Sequence, residues 1–360
     1  MTLGNRAATT RFVIATTRVV AALFAVIAIF AVPAPLAAGT GRVPHFAGVT
    51  DGFRYGLPPG TSDKGLSFAE EKLPVHRSDV RNRIIKEINY LLLDRRARLI
   101  GWLERADAVR STVEPILRHY GVPKEFLYLA AIESSYNPRS LSSAGAYGYW
   151  QFIKSTAREG PRGHDDYNWA MEITKWKDDR ADLIVSTHSA ARYLAYMHRI
   201  KKIGLDGGKE REGFCDWALT AASYNAGPAR VAQRLNGYGV VSYWDVPLPS
   251  ETERYVPRWI AVALISANRG FYGVDIRPRG SVGFDTVKNI VLKKDLTIAA
   301  MARLINSTPR DIWLLNSRIF PETLVFPAKH RRKEISHTIN VPKGAKAKFV
   351  AQLRSQGYTR

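Results

Sequence analysis

Apolar residues recur at steps of three and four along most of the chain between residues 78 and 275. In the stretch VRNRIIKEINYLLLDRRARLIGWLERA, for example, Ile84, Ile88 and Leu92 fall on one face of a helix. In the next stretch, VRSTVEPILRHYGVP, the pattern stops at Gly121 and Pro123. Further helical patterns cover residues 126–135, 182–202, 215–223, 228–235 and 250–268. Because strand-like alternation is nearly absent here, we predict a mainly α-helical domain over residues 78–275.

The C-terminal end of the chain has a different pattern. Residues 281–360 alternate β-prone runs (KNIVLK, TLVFPA, HTINVP) with two helical runs, TIAAMARLIN and PRDIWLLN. This order predicts a small α/β module after a boundary near residues 277–280. Residues 39–77 are rich in glycine and proline and lack periodicity, so we predict a linker or irregular lead-in.

The N-terminal end is typical of a secretory signal. Residues 1–38 contain three arginines and no acidic residue, then 14 consecutive apolar residues at 19–32 and small residues near Ala38. A membrane span needs roughly 20 apolar residues, so an inner-membrane anchor formed by residues 19–32 is the alternative. Because no cysteine lies directly after the apolar stretch, a lipoprotein is excluded. We therefore expect export to the periplasm, with cleavage near Ala38.

Charge and composition narrow the range of partners. The formal net charge is +21, and the last 80 residues carry 15 Lys and Arg against 5 Asp and Glu. This excess predicts attraction to nucleic acid, anionic lipid or acidic wall polymer, and export argues against nucleic acid.

The single cysteine, Cys215, excludes an internal disulfide. No metal-ligand spacing is present among the histidines, so we expect neither a metal nor a cofactor.

One acidic residue stands out because it follows an apolar run. In the stretch LAAIESSYNP, Glu133 would share a helix face with Phe126 and Leu129. Packing of that face against an apolar surface would desolvate the carboxyl and raise its pKa, so that it could donate a proton near neutral pH. The alternative is an ordinary surface acid that caps a helix or pairs with an arginine.

Three further stretches place chemistry-bearing residues after Glu133. They are AGAYGYWQF, ASYNAG and ETERYVP. Together with ESSYNP, and in this order, they resemble the catalytic domain of the soluble-lytic-transglycosylase-like murein enzymes, most of all the membrane-bound lytic transglycosylase D type. The resemblance covers about residues 78–275. Tyr149 and Ser223 depart from the usual residues of these motifs.

The resemblance implies a goose-lysozyme-like helical fold and a non-hydrolytic reaction on peptidoglycan glycan strands. The bond between N-acetylmuramic acid and N-acetylglucosamine is broken, and 1,6-anhydromuramic ends are formed. Glu133 matches the single general acid and base of the family. The residues expected to bind the substrate are Ser134, Trp150, Gln151, Tyr224, Asn225 and Tyr255.

Simpler roles remain open for several of these residues. Asn225 could cap the helix that begins near residue 228, Trp150 could belong to the core, and Tyr255 could be a packing residue. Asp178 and Asp179 are best explained as a helix start. The stretch between residues 158 and 184 is longer than the family pattern predicts and would extend the wall of the substrate groove.

Two rival functions also remain open. A lysozyme-type hydrolase would need a second acid or a positioned water, and no second acid lies near Glu133 in the sequence. A non-catalytic wall-binding protein would use the same fold as a scaffold, which the intact glutamate and the four motifs argue against.

The C-terminal module resembles a degenerate LysM repeat, a small βααβ glycan-binding unit. The stretches LTIAAMARLINSTPRDIWLLN and INVPKG carry this resemblance, although KKDLTI replaces the usual Gly-Asp-Thr-Leu opening. The alternative is an accessory module whose basic residues bind an anionic wall or membrane surface by charge. If the module acts by charge, we expect that its removal after Gly280 leaves the reaction on short soluble fragments intact and weakens binding to whole sacculi.

Overall fold

A computed structural model describes residues 54–61, 65–161, 164–199, 202–204, 210–212, 214–277, 283–320, 322–330 and 333–360. The predicted signal or anchor, residues 1–38, lies outside the described residues. Among those that are described, no helix is both long and apolar enough to span a bilayer.

The region before residue 275 is mainly helical, as predicted. Its α-helices are α1 (Ser78–Asn89), α2 (Arg96–His119), α3 (Leu127–Ser134), α4 (Lys154–Arg158), α5 (Leu183–Arg199), α6 (Trp217–Ala226), α7 (Pro228–Tyr238) and α8 (Ser250–Ala267). A π-helical turn, Tyr90–Asp94, separates α1 from α2, and 3₁₀ turns lie at Lys124–Phe126, Asp165–Tyr167 and Asp179–Ala181. The apolar faces of these helices form one continuous core.

Helix α3 lies in the middle of this core and ends just after Glu133. Its residues from Leu127 to Ala131 are all buried, so most of the helix is surrounded by other helices. The helix stops because Ser135 and Tyr136 adopt left-handed backbone conformations, with φ of 55° and 54°. The sharp turn leaves Glu133 in the last turn of a buried helix, next to a loop that leads back across the site.

Part of the predicted irregular lead-in, residues 39–77, is ordered, and that part of the prediction is wrong. Strands β1 (Leu66–Phe68) and β2 (Glu71–Leu73) form an antiparallel hairpin. The side chains of both strands enter the helical core, and the Phe68 ring packs edge-on against Trp259 at 4.7 Å. A second short hairpin pairs β3 (Lys202–Gly204) with β4 (Glu210–Glu212).

The C-terminal module has the predicted β-α-α-β order. Strand β5 (Phe284–Val291) pairs antiparallel with β10 (Ser336–Pro342), with Val287 opposite Ile339. The other elements are β6 (Leu296–Thr297), α9 (Ile298–Ile305), α10 (Pro309–Leu315), β7 (Val325–Phe326), β8 (Lys329–His330), β9 (Lys333–Glu334) and α11 (Lys346–Ser355). The module has its own apolar core, which also contains Trp176 from the helical region. A kinship with LysM repeats stays a prediction.

Candidate active site

Glu133 occupies a largely desolvated position at the end of α3. The residue is partly exposed, yet its carboxyl is surrounded by protein, and one oxygen, Oε1, accepts a hydrogen bond from the Tyr255 hydroxyl. Burial raises the pKa of Glu133 to about 7, because a charged carboxylate loses hydration there. The hydrogen bond from Tyr255 lowers this pKa, and the negative charge of Glu251 raises it. At neutral pH the carboxyl is therefore poised between proton donor and acceptor.

Tyr255 lies on α8 and is buried, with 5% of its surface exposed. The alternative of a packing residue with a solvated hydroxyl is wrong, because the hydroxyl contacts Glu133. Burial, together with the neighbouring Glu133 charge, raises the pKa of Tyr255 well above its usual value, so the phenol stays protonated. It is thus a fixed donor to the carboxyl.

Tyr224 and Asn225 lie at the C-terminal end of α6. The Tyr224 hydroxyl donates to the carbonyl oxygen of Trp150 at 2.7 Å, and Glu133 contributes to raising the pKa of Tyr224. Asn225 donates to Oε1 of Glu251 at 3.3 Å and accepts from the Thr252 hydroxyl at 2.8 Å. Asn225 therefore ties α6 to the first turn of α8.

The alternative role of Asn225 as a helix cap is wrong. The N-cap of α7 is Gly227, and no side chain caps that helix end.

A loop over residues 140–152, called here the active-site loop, carries Gln151. The Gln151 amide nitrogen donates to the carbonyl oxygens of Ser140 and Gly148, both at 2.9 Å, so the side chain closes the loop on itself. Gly148 has a φ of 83°, and a Cβ at this position would collide with the carbonyl of Arg180. The glycine is thus required for the loop to approach the segment before α5.

Two predicted substrate-binding residues have different surroundings from those expected. Trp150 is fully buried and donates from its ring nitrogen to the Thr187 hydroxyl at 3.0 Å, so the prediction of a sugar-stacking surface is wrong. Ser134 is 5% exposed, and its hydroxyl lies 2.7 Å from the carbonyl oxygen of Tyr149 and 3.1 Å from that of Ala130. Ser134 thus links α3 to the active-site loop, and its contact with sugar stays a prediction.

A second carboxylate near Glu133 was missed by the sequence reasoning. Glu251 lies in the first turn of α8, is exposed and contributes to raising the pKa of Glu133. It precedes Tyr255 by four residues, so the two share a helix face. The spacing in ETERY was a usable signal, but only once Tyr255 was known to contact Glu133.

The remaining acidic candidates have structural partners. Asp178 caps the 3₁₀ turn Asp179–Ala181 and accepts from the main-chain nitrogen of Arg180, which confirms the predicted helix start. Among the residues that the structure describes, no cluster of three or more His, Cys, Asp or Glu side chains could hold a metal ion.

Comparison with known proteins identifies a family domain in the helical region. Residues 114–246 match the family model of the transglycosylase SLT domain, and this stretch includes Glu133, Gln151 and Tyr224. The chain therefore contains a transglycosylase SLT domain.

Two curated relatives extend the comparison. The chain is 33% identical over 174 residues to membrane-bound lytic murein transglycosylase D of Escherichia coli K12, an alignment that covers 47% of this chain and 34% of the relative. It is 27% identical over 139 residues to a putative tributyltin chloride resistance protein of an Alteromonas species, covering 38% of this chain and 57% of that protein. The chain thus spans about a third of the E. coli relative.

Two solved structures also match part of the chain. One is an inactive mutant of the lytic transglycosylase Slt from Pseudomonas aeruginosa, with 21% identity and a TM-score of 0.33 over 47% of this chain and 25% of that chain. The other is the 70 kDa soluble lytic transglycosylase of E. coli, with 17% identity and a TM-score of 0.29 over 54% of this chain and 30% of that chain.

Proposed function

We propose that the protein is a peptidoglycan lytic transglycosylase in which Glu133 is the general acid and then the general base. The observation that carries the proposal is the Glu133 carboxyl itself. It ends a buried helix, accepts a hydrogen bond from Tyr255 and has its pKa raised to about 7. The SLT domain match and the E. coli relative supply the substrate class, which is the glycan strand of peptidoglycan.

A single carboxyl is sufficient for this reaction. The neutral form of Glu133 gives its proton to the glycosidic oxygen between N-acetylmuramic acid and N-acetylglucosamine, and the bond from that oxygen to C1 breaks. The resulting carboxylate takes the proton of the muramic C6 hydroxyl, whose oxygen bonds to C1 and closes the 1,6-anhydro ring. Because the nucleophile belongs to the same sugar, no water has to be positioned. The carboxyl ends the cycle protonated again.

The test is the mass of the products released from purified peptidoglycan. The wild-type chain should release muropeptides with 1,6-anhydromuramic ends, and Glu133→Gln should release less than a few per cent of that amount. Glu334→Gln, which changes an exposed glutamate in the C-terminal module, is the control and should keep full activity. A folded Glu133→Gln chain with substantial activity would refute the assignment of Glu133.

Hydrolysis is the second candidate, because Glu251 brings another carboxylate to the site. A second carboxylate could activate a water molecule to attack C1. Each hydrolytic product would be heavier by one water than its anhydro counterpart. The same mass measurement therefore separates the two reactions.

We also propose that the chain works outside the cytoplasm, with residues 1–38 as its export signal and the catalytic domain over residues 78–275. The basic start, the apolar stretch and the peptidoglycan substrate class support this location. Cell fractionation with N-terminal sequencing is the test. A mature chain that begins near Gly39 supports cleavage, an intact N-terminus in the membrane fraction indicates an anchor, and a cytoplasmic full-length chain would contradict export.

A further inference from the structure

The stretch between α4 and α5, which is longer than the family pattern predicts, contacts the C-terminal module. Trp176 is 6% exposed, and its ring lies 5.2 Å from the ring of His337 in the module core. The main-chain nitrogen of Asp178 donates to the carbonyl of Arg318 at 2.8 Å, and that of Phe320 donates to the carbonyl of Trp176 at 3.1 Å. The two segments thus pair as a short antiparallel bridge with an apolar anchor.

Buried charges reinforce the same contact. The Arg318 side chain is 7% exposed, and its Nη1 lies 3.6 Å from a carboxylate oxygen of Asp179 and 3.6 Å from one of Asp182. The guanidinium also donates to the carbonyl of Thr338 within the module. Since a buried charge without its partner is costly, the two parts of the chain are held in one arrangement.

The contacted segment in turn holds the active-site loop. Arg180 is clamped by Asp178 at 2.7 Å, and its guanidinium donates to the carbonyl oxygens of Phe152 at 2.9 Å and Gly145 at 3.2 Å. Its own carbonyl accepts from the main-chain nitrogen of Tyr149 at 3.3 Å. Residues 145 and 152 of the active-site loop are therefore both held by Arg180, a residue next to the module.

Ser317 of the module contacts the segment that holds the active-site loop. Its hydroxyl donates to the carbonyl of Ala181, the residue that follows Arg180. The carbonyl of Tyr149 accepts from the Ser134 hydroxyl at 2.7 Å. Because the main-chain nitrogen of Tyr149 donates to the carbonyl of Arg180, and Ser134 follows Glu133 in α3, the contacts of the module extend to the residue beside the proposed acid.

We propose that the C-terminal module is a structural part of the active site, with Ser317 and Arg318 as positioning residues for the active-site loop and for the end of α3. The inference rests on the proposed function, since Glu133 is the group that is positioned. It reverses the expectation from the sequence that the module can be removed without effect on the reaction. A fixed loop matters because small misplacements of catalytic groups slow reactions strongly.

The test compares two serine variants of the full chain. Ser317→Ala removes the hydroxyl at the contact, whereas Ser355→Ala removes an exposed hydroxyl that donates to the carbonyl of Gln352 in its own helix. Hydrogen exchange of residues 145–152 is measured without substrate, and kcat and KM are measured on a short soluble glycan fragment. Arg318→Lys keeps the positive charge but removes the guanidinium that lies near Asp179 and Asp182, and it serves as the second variant if Ser317→Ala folds poorly.

We expect faster exchange in the loop for Ser317→Ala and Arg318→Lys, and a kcat about ten-fold lower at nearly unchanged KM. Ser355→Ala should behave as the wild type in both measurements. Wild-type exchange and wild-type kcat in the folded contact variants would overturn the inference. The exchange measurement needs no turnover, so it decides whether the module holds the loop whatever the reaction is. A wild-type chain that releases no anhydro products would count against the proposed function and not against this inference.

Discussion

Replacing Glu133 by glutamine should stabilise the protein at alkaline pH while abolishing its activity. Burial raises the pKa of this carboxyl from 4.5 to about 7, so the folded chain binds the proton more tightly than the unfolded chain does. The free energy of unfolding of the wild type therefore falls as pH rises from about 4.5 to about 7. At about 1.4 kcal/mol for each pK unit, the loss approaches about 3 kcal/mol above pH 7. A neutral amide has no such loss and keeps an oxygen that can accept from Tyr255.

Urea unfolding of both chains at pH 4 and pH 8 measures this effect. The free energy of unfolding of Glu133→Gln minus that of the wild type should increase by up to about 3 kcal/mol from pH 4 to pH 8. Glu334→Gln, at an exposed position, should show no comparable change. If the difference between Glu133→Gln and wild type is the same at both pH values, the carboxyl is not desolvated and the reasoning fails.

Four further predictions test the surroundings of Glu133 and the module. Tyr255→Phe should lower kcat about ten-fold. It should also move the alkaline limb of the pH–rate profile to higher pH, because the hydrogen bond from Tyr255 lowers the pKa of Glu133 in the wild type and its loss raises that pKa. Glu251→Gln should move the same limb to lower pH, since it removes a charge that raises this pKa; a shift in the other direction would contradict the assignment. Trp176→Ala should lower the free energy of unfolding by about 3–5 kcal/mol in urea, and an unchanged value would show that the module core does not depend on this ring. Binding of the full chain to purified sacculi should fall steeply with added salt if charge dominates, whereas salt-insensitive binding that chitin fragments block would indicate a glycan-reading module.

The helices could be predicted from the sequence because burial of one face imposes a periodicity. The predicted helix at 250–268 corresponds to Ser250–Ala267, and that at 126–135 to Leu127–Ser134. The hairpin at 66–73 was missed because its strands have three residues each, too few for alternation to show. The hairpin is held in place by packing, because Phe68 lies against Trp259, a residue far away in the sequence.

The site could be predicted only as far as local motifs extend. Glu133, Tyr224 and Tyr255 each lie in a recognisable motif, and the structure brings the hydroxyl of Tyr255 to the carboxyl of Glu133. Trp150 was misjudged because a tryptophan in a glycine-rich stretch is equally typical of a sugar platform and of a core residue, and burial decides between them. Glu251 was missed because its nearness to Glu133 depends on how α8 packs on α3.

The hydrogen bonds around Glu133 explain how one carboxyl can serve both halves of the proposed reaction. Desolvation alone would favour the neutral acid, whereas the Tyr255 hydrogen bond favours the carboxylate that must form next. These opposing effects leave the pKa near neutrality, where neither proton transfer is strongly uphill. Such a balance depends on fixed distances, because a hydrogen bond weakens steeply as its geometry departs from the ideal. The contacts that reach Ser134 from the C-terminal module therefore concern the chemistry of Glu133 as much as the stability of the fold.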